Sequence, residues 1–228
     1  MSQMTEIYDR MRNDIARGAL PLGRKVTVED LAARYDAGLM PVREAVRRLL
    51  GEEILQRVPG AGTQVRQISG SYISEFSDIT NALQSILVRA AASHCTCIDI
   101  RELKAVEKER CQKIAEGDYA EALKLNHDFH DRIYAIAKND HAQKLLKSNR
   151  ILMSALWHKY GYGPSRHAGV ENDHLNIIRA LERGDPEAAV VLNTAHNLKA
   201  KFELLERVND DEAHRPSRTQ GETEIRRD

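Results

Sequence analysis

Little in this 228-residue sequence would crosslink it, anchor it or give it one dominant charge. Its three cysteines, Cys95, Cys97 and Cys111, are an odd number without framework spacing, which excludes a disulfide-stapled fold. They read as half-buried helix-end thiols in preference to a Cys-x-Cys metal pair. No apolar run approaches the roughly 18–20 residues that cross a bilayer. The N-terminus carries no signal-peptide pattern, so a cytoplasmic protein without a membrane partner is expected. Aromatics are only 5% of the chain. Lys and Arg number 34 and are matched by 34 Asp and Glu, so no global basicity announces a nucleic-acid binder.

What remains is 42% hydrophobic residues, enough to bury a core, in a background rich in good helix formers. A mainly α protein is predicted, with a compact N-terminal unit over 1–68, a helical unit over 69–208 and a disordered tail over 209–228. In the first unit, residues 4–17 carry a helical stripe through Ile7, Met11 and Ile15, stopped by Gly18. Thr27 and Asp30 have capping-box spacing and open a short helix to about Tyr35. A second helix is expected from Pro41 to about Gly51, with Val42, Ala45, Val46 and Leu49 inward and Arg43 and Arg47 outward. Residues 54–58 and 63–66 flank Pro59-Gly60-Ala61-Gly62 and read as a two-stranded ribbon. Three helices followed by a hairpin is the order of a winged helix-turn-helix.

From Ser69 the pattern becomes helical, with segments expected near 70–93, 98–116, 118–138, 141–160, 170–183 and 186–207. Gly117-Asp118 and Gly184-Asp185-Pro186 supply stop and start signals. That many helices over about 140 residues predict an antiparallel bundle of six to seven helices. The tail is polar with almost no apolar content.

Asp30-Leu31-Ala32-Ala33-Arg34, Pro41-Val42-Arg43-Glu44-Ala45-Val46-Arg47-Arg48-Leu49 and Gly60-Ala61-Gly62-Thr63-Gln64-Val65 together resemble the GntR family of bacterial transcription regulators. The C-terminal part resembles the FCD ligand-binding domain of its FadR subfamily. The resemblance implies a homodimer on a palindromic double-stranded DNA operator, with a small organic acid or sugar acid as effector and repression as the expected outcome. One recognition helix per half-site would enter the major groove, with the wing near the minor groove. The DNA-binding residues it implies are Arg34, Gly38, Leu39, Met40, Arg43, Arg47, Gly62 and Thr63. The turn departs from the family pattern. Where the family has Gly-Val-Ser-Arg-Thr, this chain has Asp36-Ala37-Gly38-Leu39-Met40. Leu39 and Met40 cannot donate a hydrogen bond, but they can touch thymine methyls.

In the helical unit, Leu123, Asn126, His130, Ile133 and Ala137 share one helix face, which sets two polar side chains on an apolar stripe. His174 lies on a stripe with Ile177, Ile178 and Leu181. His196 borders the stripe Ala188, Val191, Ala195, Leu198 and Phe202. Three inward histidines from three helices make a plausible metal cage. The FCD resemblance sharpens it to a divalent metal, zinc or nickel, at Asn126, His130, His174 and His196, with Asn where the family has Asp. That exchange leaves three neutral imidazoles without a compensating charge. His127 is expected at the surface or behind the ligands, and Asp128 and Asp131 face outward. The family's effector-holding arginine would fall near Leu83, so Asn81, Gln84 and Arg89 are the candidate effector residues. With no general base paired to the histidines, a metal-dependent enzyme is disfavoured. An interaction protein with a degenerate winged helix is the other alternative.

Overall fold

The computed structural model describes residues 3–60, 62–161 and 164–213. Helix α1 (Gln3–Ala16) lays Ile7, Met11 and Ile15 against α3 (Leu39–Gly51), whose inner face is Val42, Ala45, Val46 and Leu49. Between them, α2 (Val28–Tyr35) is capped by Thr27, whose hydroxyl accepts from the Asp30 amide at 3.0 Å. Helix α3 begins two residues before Pro41, with Gly38 as an N-cap that offers no side-chain bond. Pro41 therefore sits in the first turn, where its missing N–H costs nothing.

The wing is not a two-stranded ribbon. Besides β2 (Leu55–Val58) and β3 (Gly62–Val65), a short β1 (Lys25–Val26) pairs antiparallel with β3, giving the order β1-β3-β2. Two residues are too few to leave a periodic signal, and the flanking Pro21 and Gly23 read as turn. Gly60 and Gly62 have φ of +70° and +83°, the left-handed region that the hairpin tip needs.

Seven helices follow: α4 (Gly70–His94), α5 (Cys97–Ala115), α6 (Tyr119–Ile136), α7 (Asp140–Asn149), α8 (Ile151–Tyr160), α9 (Pro164–Glu182) and α10 (Pro186–Ala213). The single helix expected over 141–160 is two, divided at Arg150, whose amide bonds Lys147 three residues back. Neither Pro nor Gly marks that break. Helix α9 begins earlier than predicted, at Pro164. The predicted tail is partly helix, since α10 runs on to Ala213 with Val208 buried and Lys159 and Tyr160 both bonded to Asp211. Residues 214–228 lie outside the described residues.

Two apolar cores result. One holds the inward faces of α4, α5, α6, α7, α9 and α10 around Phe129, Ile133 and Ile177. The other is the head's own core, continued by Ile151, Leu152, Leu156 and Trp157 of α8 and by Leu204 and Val208 of α10. Helix α8 is thus built into the head's packing, although its sequence lies far into the helical unit. Helices α4 and α10 run antiparallel, with Arg89 paired to Glu187 at one end and Lys201 to Asp78 at 2.8 Å toward the other.

The apolar α10 stripe that His196 borders turns outward, not toward the core. Val191, Ala195, Leu198 and Phe202 are exposed, whereas Ala189, Asn193, His196 and Leu204 point in. The two faces differ little in period, and the inward one is the more polar. Hydropathy alone selects the wrong one. Ile79 and Ile86 of α4 are exposed as well, so the α4/α10 pair presents an apolar surface.

Candidate functional site

Two places in the fold gather the residues singled out by the sequence. The first is the outer face of α3. Met40, Arg43, Glu44 and Arg47 follow helical spacing there, opposite the buried Val42, Ala45, Val46 and Leu49. Leu39 and Met40 are exposed, and Arg43 makes no hydrogen bond or ion pair among the described residues. Arg47 is exposed and held loosely by Glu44 at 3.0 Å. In the wing, Gly62 is exposed at the tip and Thr63 pairs with Arg57 across the hairpin, beside the exposed Arg57 side chain. Arg34 is different. Its guanidinium bonds Asp14 at 2.8 and 3.1 Å and the Ala19 carbonyl at 3.4 Å, so it braces α2 against α1. Arg48 and Arg66 are likewise engaged, with Glu52 at 3.1 Å and Glu53 at 2.7 Å.

The second place is the interior of the bundle. His130 on α6, His174 on α9 and His196 on α10 are buried, and one ring nitrogen from each lies within 4.8 Å of the others. The Nε2 atoms of His130 and His196 are 3.3 Å apart. Each outer histidine is gripped from behind. His174 Nδ1 lies 2.6 Å from Glu107 Oε2, and His196 Nδ1 lies 3.3 Å from Asp173 Oδ2. A carboxylate on Nδ1 fixes the tautomer that leaves Nε2 bare and basic, the usual arrangement behind a metal-bound histidine. His174 Nε2 and His130 Nδ1 are buried without a hydrogen-bond partner among the described residues. Such orphaned nitrogens are costly unless something binds them.

These carboxylates correct the expectation of three imidazoles with no compensating charge. Neither Glu107 nor Asp173 lies in the motif that marked the histidines. The available signal was an acidic residue at an otherwise inward helical position, as with Glu107 between Leu103 and Val106 on one side and Arg110 on the other. Glu107 also accepts from Arg110, with Nε to Oε2 at 2.9 Å, and both side chains are almost fully buried. Burial pushes the Glu107 carboxyl up, but the bonds from His174 and Arg110 outweigh it and hold its pKa below the usual range. Asp173 is brought down to about 2, since its bonds to His196 and to Lys199 at 2.6 Å outweigh its burial. Burial, then repulsion from His174 and His196, pushes His130 well below the ordinary histidine value. Burial also lowers His174, partly offset by Glu107. His130 and His174 are thus biased to the neutral form that ligates a metal.

Beside the histidines opens a cavity of about 130 Å³. Asn81 and Gln84 of α4 line it, together with Asn126, His130 and His196. Arg89 does not, because it points out along α4 to Glu187. Two cations among the described residues line the cavity: Lys201 of α10, held by Asp78 at 2.8 Å, and Arg150, at the α7/α8 break, held by Asp131 through two 2.7 Å bonds. Asp131 therefore faces a partner, not open solvent. A buried-side arginine at a helix junction has no local motif, and periodicity could not have found it. His127, expected at the surface or behind the ligands, is half-buried in the cavity wall, and burial followed by Arg150 pushes its pKa down to about 4.

Comparisons with known proteins agree with this division. Residues 3–65 match the family described as bacterial regulatory proteins, gntR family, and residues 75–199 match the FCD domain. The chain is 31% identical over 84% of its length to a probable D-xylose utilization operon transcriptional repressor of Paenarthrobacter nicotinovorans, covering 84% of that protein. It is 24% identical to the HTH-type transcriptional repressor RspR of Escherichia coli K12, again over 84% of each. Among solved structures, E. coli McbR/YncC superposes with a TM-score of 0.80 at 20% identity, over 91% of this chain and 99% of that one. A putative GntR regulator from Rhodococcus sp. RHA1 gives 0.74 at 19% identity, over 90% and 99%. At such identity the structures speak to fold alone.

Proposed function

Because the chain belongs to the gntR family of bacterial regulatory proteins and carries an FCD domain, so that it is a DNA-binding transcriptional regulator and not an enzyme, we propose that it acts as a homodimeric repressor. Its operator is palindromic, and its bundle holds a divalent metal and a small acid. The observation that carries this reading is the pairing of an outward arginine face on α3 with the buried His130–His174–His196 cluster in one chain.

His130, His174 and His196 supply the metal's nitrogen donors, and zinc or nickel suits an imidazole set of this kind. The metal, when bound, offers a positive centre for an acid group at the cavity floor. Asn126 beside it adds a neutral amide that leaves room for such an anion. The cavity's scale fits a small acid, with Asn81 and Gln84 available to its hydroxyls and Arg150 to an acidic group. Repression follows the names of the two relatives, both called repressors.

A second copy of the chain is the natural cover for the apolar α4/α10 surface of Ile79, Ile86, Val191, Leu198 and Phe202. Such a dimer brings two α3 helices to one duplex, as a palindrome requires. Effector and DNA are linked through α8. One side of it, with Arg150, Met153 and Trp157, meets the cavity, and the other packs into the core of the head. An acid that draws Arg150 from Asp131 shifts α8 against α1, and it changes DNA affinity to the extent that it prefers one placement of the heads.

The experiment is an anisotropy titration of a labelled duplex covering the gene's own upstream region, at stated salt, with and without candidate acids. Sequence-specific binding that an acid alters is expected. Binding that matches an unrelated duplex and ignores every acid would overturn the proposal.

A further inference from the structure

The N-terminal turn of α3 is built oddly for a helix that meets a polyanion. Its first two residues are apolar and held out into solvent, with Leu39 45% and Met40 64% exposed. Nothing in the fold asks for this. The helix's core contacts are complete without them, since Val42, Ala45, Val46 and Leu49 fill the inner face. The turn carries no side-chain cap, because Gly38 precedes it. On the same outward surface, one turn on, stands Arg43 without a partner among the described residues, followed by Glu44 and Arg47.

We propose that Leu39 and Met40 are specificity determinants that read thymine through its 5-methyl group in the major groove. The inference rests on the DNA-reading role of α3. In a helix-turn-helix it is the first residues of the second helix that reach base edges. A side chain there that has no donor and at most a thioether's weak acceptor gains little from guanine, cytosine and adenine edges. The thymine methyl is the apolar feature among the base edges of that groove. Met40 is long, unbranched and polarisable, so it can follow a methyl's position without a fixed rotamer. Leu39 and Met40 are adjacent, so they splay about 100° apart around the helix and can cover neighbouring base steps. The exposed apolar pair is followed on the helix by the exposed Arg43, and the wing offers the exposed Arg57, cations suited to backbone phosphates. That charge favours nucleic acid over a protein partner as the occupant.

The test begins with duplexes enriched from a random-sequence library by the full chain at about 150 mM salt. Each thymine of an enriched duplex is then replaced by deoxyuridine, which deletes only the methyl. The wild-type chain is expected to lose about fourfold in affinity at one or two thymines per half-site, the worth of one buried methyl-sized group. Met40→Ala, Leu39→Ala or both should bind the thymine duplex more weakly and show no further loss with deoxyuridine at those positions. Arg43→Ala serves as the control and should weaken binding while leaving the methyl penalty in place. Both apolar residues are exposed, so these variants fold. Enrichment of duplexes whose thymines can all be replaced without loss would overturn this proposal and leave the DNA-reading role standing. The same holds for a methyl penalty that persists in both variants. Failure to enrich any sequence would overturn both.

Discussion

Arg43 in the head and His174 in the bundle show two ways of building a site into one chain. Arg43 stands outside a finished core, touches no partner among the described residues, and contributes nothing that the fold requires. His174 stands fully inside, stacked on Phe129 with ring centroids 4.0 Å apart and bonded to a buried Glu107 that is itself bonded to a buried Arg110. A reading surface has to be free to meet whatever sequence it finds, and its residues can change without unfolding the head. A ligand cage must be held to a fraction of an ångström in advance, so its residues are bound into the core. Function and stability are therefore separable in the head and coupled in the bundle.

The largest expected break in that comparison is Glu107→Ala. It strips His174 of its acceptor and leaves the Arg110 guanidinium buried without its main counter-charge. A loss of roughly 3–5 kcal/mol in unfolding free energy is expected, read from urea denaturation of the metal-free protein. Arg43→Ala under the same conditions should stay within about 0.5 kcal/mol of wild type. Equal denaturation midpoints for all three proteins would erase the distinction drawn above.

Next in size is His174→Ala or His196→Ala. Either should lower zinc affinity at least roughly 100-fold, seen by competition with a chelating dye, since one of three imidazole donors is gone. Arg43→Ala should titrate as wild type does. The head's counterpart is a drop of about tenfold in operator affinity for Arg43→Ala, with an unchanged melting temperature.

The smallest effect is a pH dependence confined to the bundle. His127, His130 and His174 all have pKa values below the ordinary histidine value, His127 at about 4, with burial the leading cause. Below about pH 6.5 the unfolded chain takes up protons that the folded one refuses, so stability falls as pH drops from about 6.5 toward 4. Chemical denaturation of the metal-free protein at intervals across that window should show the decline. His127→Gln should make it shallower. A flat profile would mean that these rings are not held neutral by the fold.

The head was more legible in the sequence than the cage. The inward positions of α3, the Thr27 cap and the outward arginines all follow from one-dimensional spacing, because a helix face and a cap are local properties. The three histidines were legible for a related reason, since each lies on a helix at a recognisable offset. Their supports were not. Glu107 and Asp173 reach their histidines across gaps of 67 and 23 residues, Arg150 reaches Asp131 across 19, and no spacing rule spans such distances. The outward turn of Val191, Leu198 and Phe202 was missed because an apolar stripe reads as core whether it meets its own chain or another. The Asp14 partner of Arg34 also lies on a different helix, where no local spacing shows it.

The central claim is that the cage and the reading face belong to one switch, and a single linked titration tests it most directly. The enriched duplex is titrated with wild-type chain stripped of metal, then with the same chain reloaded with zinc and a responsive acid, and the pair is repeated with His174→Ala. A change in DNA affinity of about fivefold or more in the wild type, absent in the variant, is the predicted result. Superimposable wild-type curves with and without zinc and acid would contradict it.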